Sequence, residues 1–228
     1  MKFLQENASI GSLVTKNPET AAVFEKLGLD YCCKGNKTLK EACDEKNLNM
    51  VEVLEALDCL GKPDTSMNWD RMSAKEIVGH IVNTYHTYAK EELQRISQLL
   101  VKLNTKHGKK YSYLSELQSV FEQMKDSLSD HMDEEEQLVF PLIVNLETDR
   151  TSCQMEVKKH LQELDSDHLE TGAALERIKE LTHAYTPPEG ACTTHIVMLN
   201  SLERLEQNLH EHIHKENQIL FPRAKSLL

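Results

Sequence analysis

The stretch His131-Met-Asp-Glu-Glu-Glu-Gln-Leu-Val-Phe-Pro141 is matched by a second stretch, His212-Ile-His-Lys-Glu-Asn-Gln-Ile-Leu-Phe-Pro222. Both read His-x-x-x-Glu, and after one further residue both continue with Gln, two aliphatic residues, Phe and Pro. The second copy begins 81 positions after the first, and the two stay in register from the His to the Pro. An internal repeat of this kind is typical of a duplicated supersecondary unit.

The spacing within each copy predicts a metal-binding face on a helix. Residues i and i+4 lie one above the other on the same helix face, so each copy directs an imidazole and a carboxylate the same way. Transition metals take these ligands from helices in the di-metal sites of bundle cores. The alternative is a solvated i,i+4 pair, which is the usual role of a single His-x-x-x-Glu.

One further His precedes each copy at nearly the same distance, because His86 lies 45 positions before His131 and His168 lies 44 positions before His212. Each half therefore predicts a helical hairpin that supplies two His and one Glu. Four His and two Glu suit two metal ions, each bound by two imidazoles and bridged by the carboxylates. The candidate ligands are His86, His131, Glu135, His168, His212 and Glu216. The competing interpretation is a structural repeat in a helical scaffold without metal.

The other His and the acidic neighbours are predicted to lie outside this set. Asp133, Glu134 and Glu136 are expected to be solvated, with Glu134 the first candidate among them for supporting a ligand from outside. Asp167 is a candidate for the same supporting role. Surface or structural roles are predicted for His80, His107, His160, His183, His195, His210 and His214.

Iron is the preferred metal for this donor set. Imidazole with carboxylate suits iron, zinc, copper or manganese, but zinc would give no redox function. A carboxylate-bridged pair is the arrangement that iron uses to bind or activate O₂ or NO. About four protein ligands per ion leave room for an oxo or hydroxo bridge and an open position, which is typical of reactive or releasable metal.

The helical patterns predict an all-α fold. Four long helices, at about 74–105, 112–146, 153–184 and 190–224, have short connections and predict an antiparallel four-helix bundle. Pro141 is expected to kink or stop its helix near its end, and Pro222 lies near the end of the fourth helix. Upstream, the capping box Thr38-Leu-Lys-Glu41 marks one of several short helices. We predict a small helical N-terminal domain at 1–62, a linker at 63–72 and the bundle at 73–228.

Composition excludes several functional classes. The chain has 228 residues, a formal net charge of −11 and 39% hydrophobic residues, which permits a folded core. An acidic chain without a long basic run is not expected to bind nucleic acid. Residues 1–9 lack the apolar region of a signal peptide, and no apolar run approaches the length of a membrane span. We expect a cytoplasmic protein whose six Cys, which form no CxxC pair, are mostly reduced.

The adjacent residues Cys32 and Cys33 are the other unusual feature. A thiol near a helix N-terminus, with Lys34 beside it, can have a lowered pKa and be reactive. A disulfide between adjacent Cys is strained. The remaining alternative is one buried Cys with an incidental neighbour, and the residues alone leave these options open.

At these positions the chain resembles the repair-of-iron-centres family (RIC, ScdA/YtfE-type di-iron proteins), over nearly its whole length. That family joins a small ScdA-type domain to a hemerythrin-like bundle. The motifs that carry the resemblance are Asp30-Tyr-Cys-Cys-x-Gly35, Tyr85-His86, His131-x-x-x-Glu135 with Phe140-Pro141, Asp167-His168, Pro187-Pro-x-x-Ala-Cys-Thr-Thr194, and His212-x-x-x-Glu216 with Phe221-Pro-Arg-Ala224.

The resemblance implies a cytoplasmic, homodimeric protein with two non-haem iron ions that helps restore iron–sulfur clusters damaged by nitric oxide or peroxide. It implies metal roles for the same six residues and a functional Cys32-Cys33 pair. The expected partners are damaged iron–sulfur proteins, with NO or O₂ as small ligands. Two alternatives stay open at this point: an enzyme that reduces NO to N₂O at the iron pair, and a hemerythrin-like O₂ carrier or sensor.

Overall fold

The computed structural model describes residues 7–60, 68–149 and 154–228. Within these ranges the regular structure is helical, with one isolated bridge between Ser9 and Thr38 and no strand. The all-α prediction is therefore confirmed. No helix in the described part of the chain is both long enough and apolar enough to cross a membrane.

Within residues 7–60 the N-terminal module has four short helices: α1 (Ile10–Lys16), α2 (Thr20–Leu27), α3 (Leu39–Lys46) and α4 (Met50–Asp58). Local sequence sets their ends. The predicted capping box is present at α3, where the Thr38 side chain accepts from the Glu41 N–H and the Glu41 carboxylate accepts from the Thr38 N–H. Gly28 ends α2 with a left-handed φ of 66°, a conformation that glycine adopts without steric cost.

Four long helices follow, and three of them contain a π-helical turn. They are α5 (Ala74–Ile81, the π turn Val82–His86, Thr87–His107), α6 (Tyr113–Glu134, the π turn Glu135–Val139, Phe140–Thr148), α7 (Gln154–Leu181) and α8 (Thr193–Lys215, the π turn Glu216–Leu220, Phe221–Lys225). The predicted start of the third helix at Cys153 and half of the predicted linker, residues 63–67, lie outside the described residues. The predicted domain boundaries stay a prediction.

Of the two effects expected of Pro141, it does not stop its helix, and the helix ends predicted at about 146 and 224 lie within two residues of the observed ends, Thr148 and Lys225. Both helices continue past the proline, because each proline follows a π turn in which the preceding Phe N–H donates five residues back, to Glu135 or to Glu216. A proline lacks the N–H of an α-helical ladder and its ring crowds the carbonyl four residues earlier. The wider π turn accommodates both problems, and such turns are frequent at functional sites.

The bundle interior consists of two apolar clusters with a polar layer between them. In α5, Ile81 belongs to one cluster and Ala89 to the other, and His86 lies between them. In α7, His168 lies likewise between Leu164 and Leu175. Helices α6 and α8 cross between the same clusters at their His-x-x-x-Glu segments. The fold therefore places all six candidate ligands at one level of the bundle.

The N-terminal module packs on this same level. Its apolar core includes Ile213 from α8, and the Thr15 hydroxyl lies 3.2 Å from His214 Nε2. Gly11 and Gly35 both lie against the side chain of Gln218, so closely that an added Cβ would be under 3 Å from it. The module therefore covers the second copy of the repeat.

Candidate metal centre

The structure brings all six predicted ligands together in the bundle interior. Each is at most 5% exposed: His86, His131, Glu135, His168, His212 and Glu216. Their ligand atoms form two groups, in each of which all atoms lie within 4.8 Å of one another. One group contains His86 and His212, the other contains His131 and His168, and both contain the two Glu.

Each carboxylate offers one oxygen to each pair of imidazoles. Glu135 Oε2 lies 3.4 Å from His86 Nε2, and its Oε1 lies 3.4 Å from His131 Nε2. Glu216 Oε1 lies 2.8 Å from His212 Nε2, and its Oε2 lies 3.1 Å from His168 Nε2. This arrangement suits two carboxylates that bridge two ions, each ion also bound by two imidazoles.

The carboxylate oxygens are suited to bind a metal, because few hydrogen-bond donors reach them. Within the described part of the chain, both oxygens of Glu135 and Oε2 of Glu216 are buried without a hydrogen-bond donor. Burying a carboxylate in this way is costly unless a cation or donor compensates. Burial would raise the pKa of the Glu216 carboxyl, but the facing His212, His168 and His86 hold it well below its usual value. The charged form that binds metal is thus the favoured one.

Three of the imidazoles are oriented by acceptors on the outer side of the ring. His86 Nδ1 lies 2.8 Å from Glu136 Oε1, His131 Nδ1 lies 3.0 Å from Asp167 Oδ2, and His168 Nδ1 lies 3.1 Å from Asn217 Oδ1. An acceptor at Nδ1 holds the ring proton there. In the neutral ring the Nε2 lone pair would then face the interior, which is the tautomer that a metal requires.

The fourth imidazole, His212, is positioned by stacking instead. Its Nδ1 has no hydrogen-bond partner among the described residues. The Tyr85 ring lies parallel to it, with a centroid distance of 5.9 Å and an interplanar angle of 6°. The Tyr85 hydroxyl donates to Glu211 Oε2 at 3.3 Å, which anchors the stacked ring.

The Phe of each repeat copy packs on the upstream His of the same half. Phe140 lies over His86 with a centroid distance of 5.7 Å, and Phe221 lies over His168 with a centroid distance of 5.9 Å. Both Phe side chains are buried. They limit the movement of the imidazoles and exclude water from that side of the centre, which explains why the repeat extends past its Glu.

The predicted supporting residues need a correction. Glu134 contacts His160 at 2.9 Å on the surface and does not contact a candidate ligand. Glu136 was expected to be solvated, but it is hydrogen-bonded to His86 and lies 3.0 Å from Lys90. Partial burial would raise the pKa of Glu136, but its bonds to His86 and Lys90 hold the pKa below its usual value. Asp167 does support a ligand, but that ligand is His131 from α6 and not its neighbour His168.

A sequence signal for these residues existed in the repeat itself. Glu136 and Asn217 occupy the same position, directly after the Glu of each copy, and Tyr85 and Asp167 both directly precede the upstream His. Asn217 is an uncharged amide, so the charge pattern does not mark it as a supporting residue. None of the other seven His joins the two ligand groups; of these, His195 and His214 are fully buried.

Cys32 and Cys33 lie next to the centre as free thiols. Their Sγ atoms are 3.7 Å apart, and Cys33 Sγ donates to the backbone carbonyl of His168 at 3.2 Å. The hydrogen bond to Cys33 and burial raise the pKa of Cys32, so the expected lowering of the pKa does not apply to that thiol. Lys34 Nζ lies 4.0 Å from Asp30.

Two family models match the chain. Residues 6–60 match the ScdA_N model, which is described as a domain of unknown function (DUF542), and residues 78–224 match the hemerythrin HHE cation binding domain. The second match spans more than half of the chain, so the protein is a hemerythrin-type, cation-binding helical protein.

Curated relatives match over nearly the full length. The chain is 31% identical to the iron–sulfur cluster repair protein ScdA of Staphylococcus haemolyticus, over 96% of this chain and 98% of that protein. It is 36% identical to the iron–sulfur cluster repair protein YtfE of Escherichia coli, over 94% of this chain and 95% of that protein. The chain therefore belongs to the ScdA/YtfE family of iron–sulfur cluster repair proteins, which confirms the resemblance.

Proposed function

We propose that this chain is a di-iron protein that helps restore iron–sulfur clusters damaged by nitrosative or oxidative stress, and that it does so by supplying iron. The names of its relatives support the repair role. The observation that carries the metal assignment is the pair of buried carboxylates, each of which presents one oxygen to each of two imidazole pairs.

Each residue has a defined task in this proposal. His86 and His212 would hold one ion, His131 and His168 would hold the other, and Glu135 and Glu216 would contribute to both. When bound, the iron supplies redox chemistry and coordination positions that other ligands can enter. The outer acceptors Glu136, Asp167 and Asn217 keep the ring protons on the outside, and the packed Phe side chains keep water away.

Charge balance favours a centre that can give up its metal. Two inner carboxylates compensate only half of the charge of two divalent ions, and the four imidazoles are neutral when they bind metal. Uncompensated charge in a buried site is costly. Glu136 and Asp167 offset part of this cost from outside, but both are partly exposed to solvent. A site with these features suits iron that is loaded and then released.

The proposal also includes a cytoplasmic, homodimeric protein that acts on damaged iron–sulfur proteins, with NO or O₂ as small ligands. The cytoplasm is favoured because six Cys in a chain of this length are best kept reduced there. The dimeric state follows the family resemblance and is checked by measuring the mass of the iron-loaded protein in solution.

The experiment measures iron and zinc in protein purified without oxygen, and then the recovery of activity by a nitrosylated iron–sulfur enzyme. The variant Glu135→Gln with Glu216→Gln keeps side-chain volume and removes both bridging charges. We expect about two irons per chain in the wild type, near-complete loss in the double variant, and recovery of the client enzyme with the wild type only. Glu134→Gln, an exposed site on the same helix, is the control and should keep its iron.

Two outcomes would overturn the proposal. One is a wild-type chain whose metal content is unaffected by the double substitution. The other is client recovery that equals the recovery produced by the same amount of free ferrous iron without protein. Measuring N₂O in the same samples separates iron supply from removal of NO, because only the latter consumes NO in proportion to protein turnover.

A further inference from the structure

We propose that Asp30, Cys32 and Cys33 form a second metal-binding site, at which a ferrous ion that leaves or enters the bundle centre is held transiently. The identity of the ion rests on the proposed function. The existence of the site rests on the geometry of these three side chains, so the two can fail separately.

The distance between the sulfurs matches a chelating pair. Cys32 Sγ and Cys33 Sγ are 3.7 Å apart. A tetrahedral ion with metal–sulfur bonds of about 2.3 Å holds its two sulfurs about 3.8 Å apart, whereas a disulfide requires about 2.0 Å. The thiols therefore already have the separation that a shared ion needs, and a disulfide would have to move them substantially.

Asp30 completes a three-atom donor set. Its Oδ1 lies 3.2 Å from Cys32 Sγ, and the possible ligand atoms of Asp30, Cys32 and Cys33 all lie within 4.8 Å of one another. Two sulfurs and one carboxylate oxygen suit a borderline divalent cation such as Fe²⁺, Co²⁺ or Zn²⁺. Binding replaces the two thiol protons by metal–sulfur bonds and releases both protons, with no change of oxidation state.

The loop that carries these residues is fixed on both sides. Asp30 Oδ1 accepts from the Cys33 N–H at 2.9 Å, and Asn217 Nδ2 donates to the Cys32 carbonyl at 3.2 Å. Asn217 is the same residue that supports His168, and Cys33 Sγ itself donates to the His168 carbonyl. The thiols thus lie directly behind one ligand of the bundle centre, which is the position that a transient site for an exchanging ion requires.

The site is also open to other molecules. A cavity of about 730 Å³ lies between the N-terminal module and helices α7 and α8, and Asp30, Cys32 and Cys33 are part of its wall. The same wall carries both acidic and basic side chains, including Glu25, Glu206 and Lys179. Three protein donors would leave at least one coordination position of a bound ion free for another ligand. A thiolate or other donor of a recipient protein can enter there and take the ion.

The test uses Co²⁺ as the probe on the reduced, full-length protein. Thiolate bound to Co²⁺ gives a near-ultraviolet charge-transfer band, which imidazole and carboxylate ligands do not produce. We expect the band in the wild type and in the variant Glu135→Gln with Glu216→Gln. It should be lost in the variant Cys32→Ser with Cys33→Ser, while the visible Co²⁺ spectrum of the bundle centre remains.

Controls keep the result interpretable. Cys59→Ser changes an exposed thiol of the same module and should leave the band unchanged. Cys32 is buried, so its substitution can disturb the module, and the single variant Cys33→Ser at the half-buried position avoids this. Cys33→Ser should remove about half of the band intensity, because one of the two sulfurs is lost. It should also slow the removal of iron from the bundle centre by a chelator severalfold.

The inference is overturned if the wild type shows no thiolate band, or if the band survives in the double-serine variant or is removed by Cys59→Ser. A missing band together with a normal iron content of the bundle would reject this site and leave the proposed function intact. A band in a chain whose bundle binds no iron would support the thiol site and reject the proposed function.

Discussion

The two copies of the repeat hold equivalent ligands in different surroundings. In the first copy, Asp133, Glu134 and Gln137 are exposed to solvent. In the second copy the corresponding residues are His214, Lys215 and Gln218, which the structure buries fully or in part. The N-terminal module covers the second copy and leaves the first one open. The inner ligand geometry is shared, so the difference is in what surrounds it.

The outer supports differ in the same way. The position after the Glu is a charged Glu136 in the first copy and a neutral Asn217 in the second. Glu136 is tied to Lys90 at the bundle surface, whereas Asn217 is tied to the Cys32 backbone of the N-terminal module. The hydrogen bonds from Cys33 to the His168 carbonyl and from Asn217 to the Cys32 carbonyl therefore connect His168 to the thiol loop. The two copies of the repeat therefore differ in their outer contacts: the first copy faces solvent and the second faces the N-terminal module.

The largest expected effect comes from removing the charged support. Glu136→Ala should lower the metal affinity of the His86 half by about 10- to 100-fold, because the ring loses the acceptor that fixes its tautomer and orientation. Competition against a chelator of known affinity measures this change. If the affinity for both ions falls equally, the two halves of the centre are not independent and the comparison between them fails.

Breaking the cover over the second copy should have the next largest effect. In Gly35→Ala the new Cβ overlaps the Tyr31 carbonyl oxygen and lies 2.8 Å from Gln218 Nε2, which should cost about 1–3 kcal/mol of stability. Denaturant unfolding gives the free energy, and hydrogen exchange should rise around the second copy only. Gly79→Ala is the control: it has nothing within 4 Å of the added Cβ and should stabilise α5 by about 0.5–1 kcal/mol.

Removing the neutral support should weaken the centre less. Asn217→Ala removes the acceptor at His168 and the donor to Cys32 together, and we expect about a tenfold loss of metal affinity, at the lower end for such supports. It should also speed hydrogen exchange in the loop of Cys32 and Cys33, a readout that Glu136→Ala should leave unchanged. Equal exchange in both variants would mean that Asn217 does not join the centre to the module.

The smallest effect is expected at the exposed side. Gln137→Ala changes a solvent-exposed residue of the first copy and should alter stability by less than about 0.5 kcal/mol. The matched variant Gln218→Ala removes a side chain packed between Gly11 and Gly35. It should lower the melting temperature measurably more than Gln137→Ala does. Equal stability of the two variants would contradict the covering role of the module.

The fold class and the convergence of the six candidate ligands were predictable from the sequence. Their spacing is a local property, since residues four apart on a helix always share a face, and a repeated hairpin places two such faces opposite each other. The repeat marks the positions of Glu136 and Asn217 in the sequence, but it does not reveal which imidazole each of them contacts. Each contacts an imidazole on a different helix, so the contact depends on how the helices pack and not on spacing within one of them.

The sequence by itself therefore determined an all-α bundle, the candidate donor set and the class of metal it suits. Tertiary structure alone decided the rest. It placed Cys33 against His168 across 135 positions of chain, it covered one copy of the repeat and exposed the other, and it placed a π turn just before each of the prolines Pro141 and Pro222. These features depend on contacts between distant segments, and local periodicity carries no information about how such segments meet.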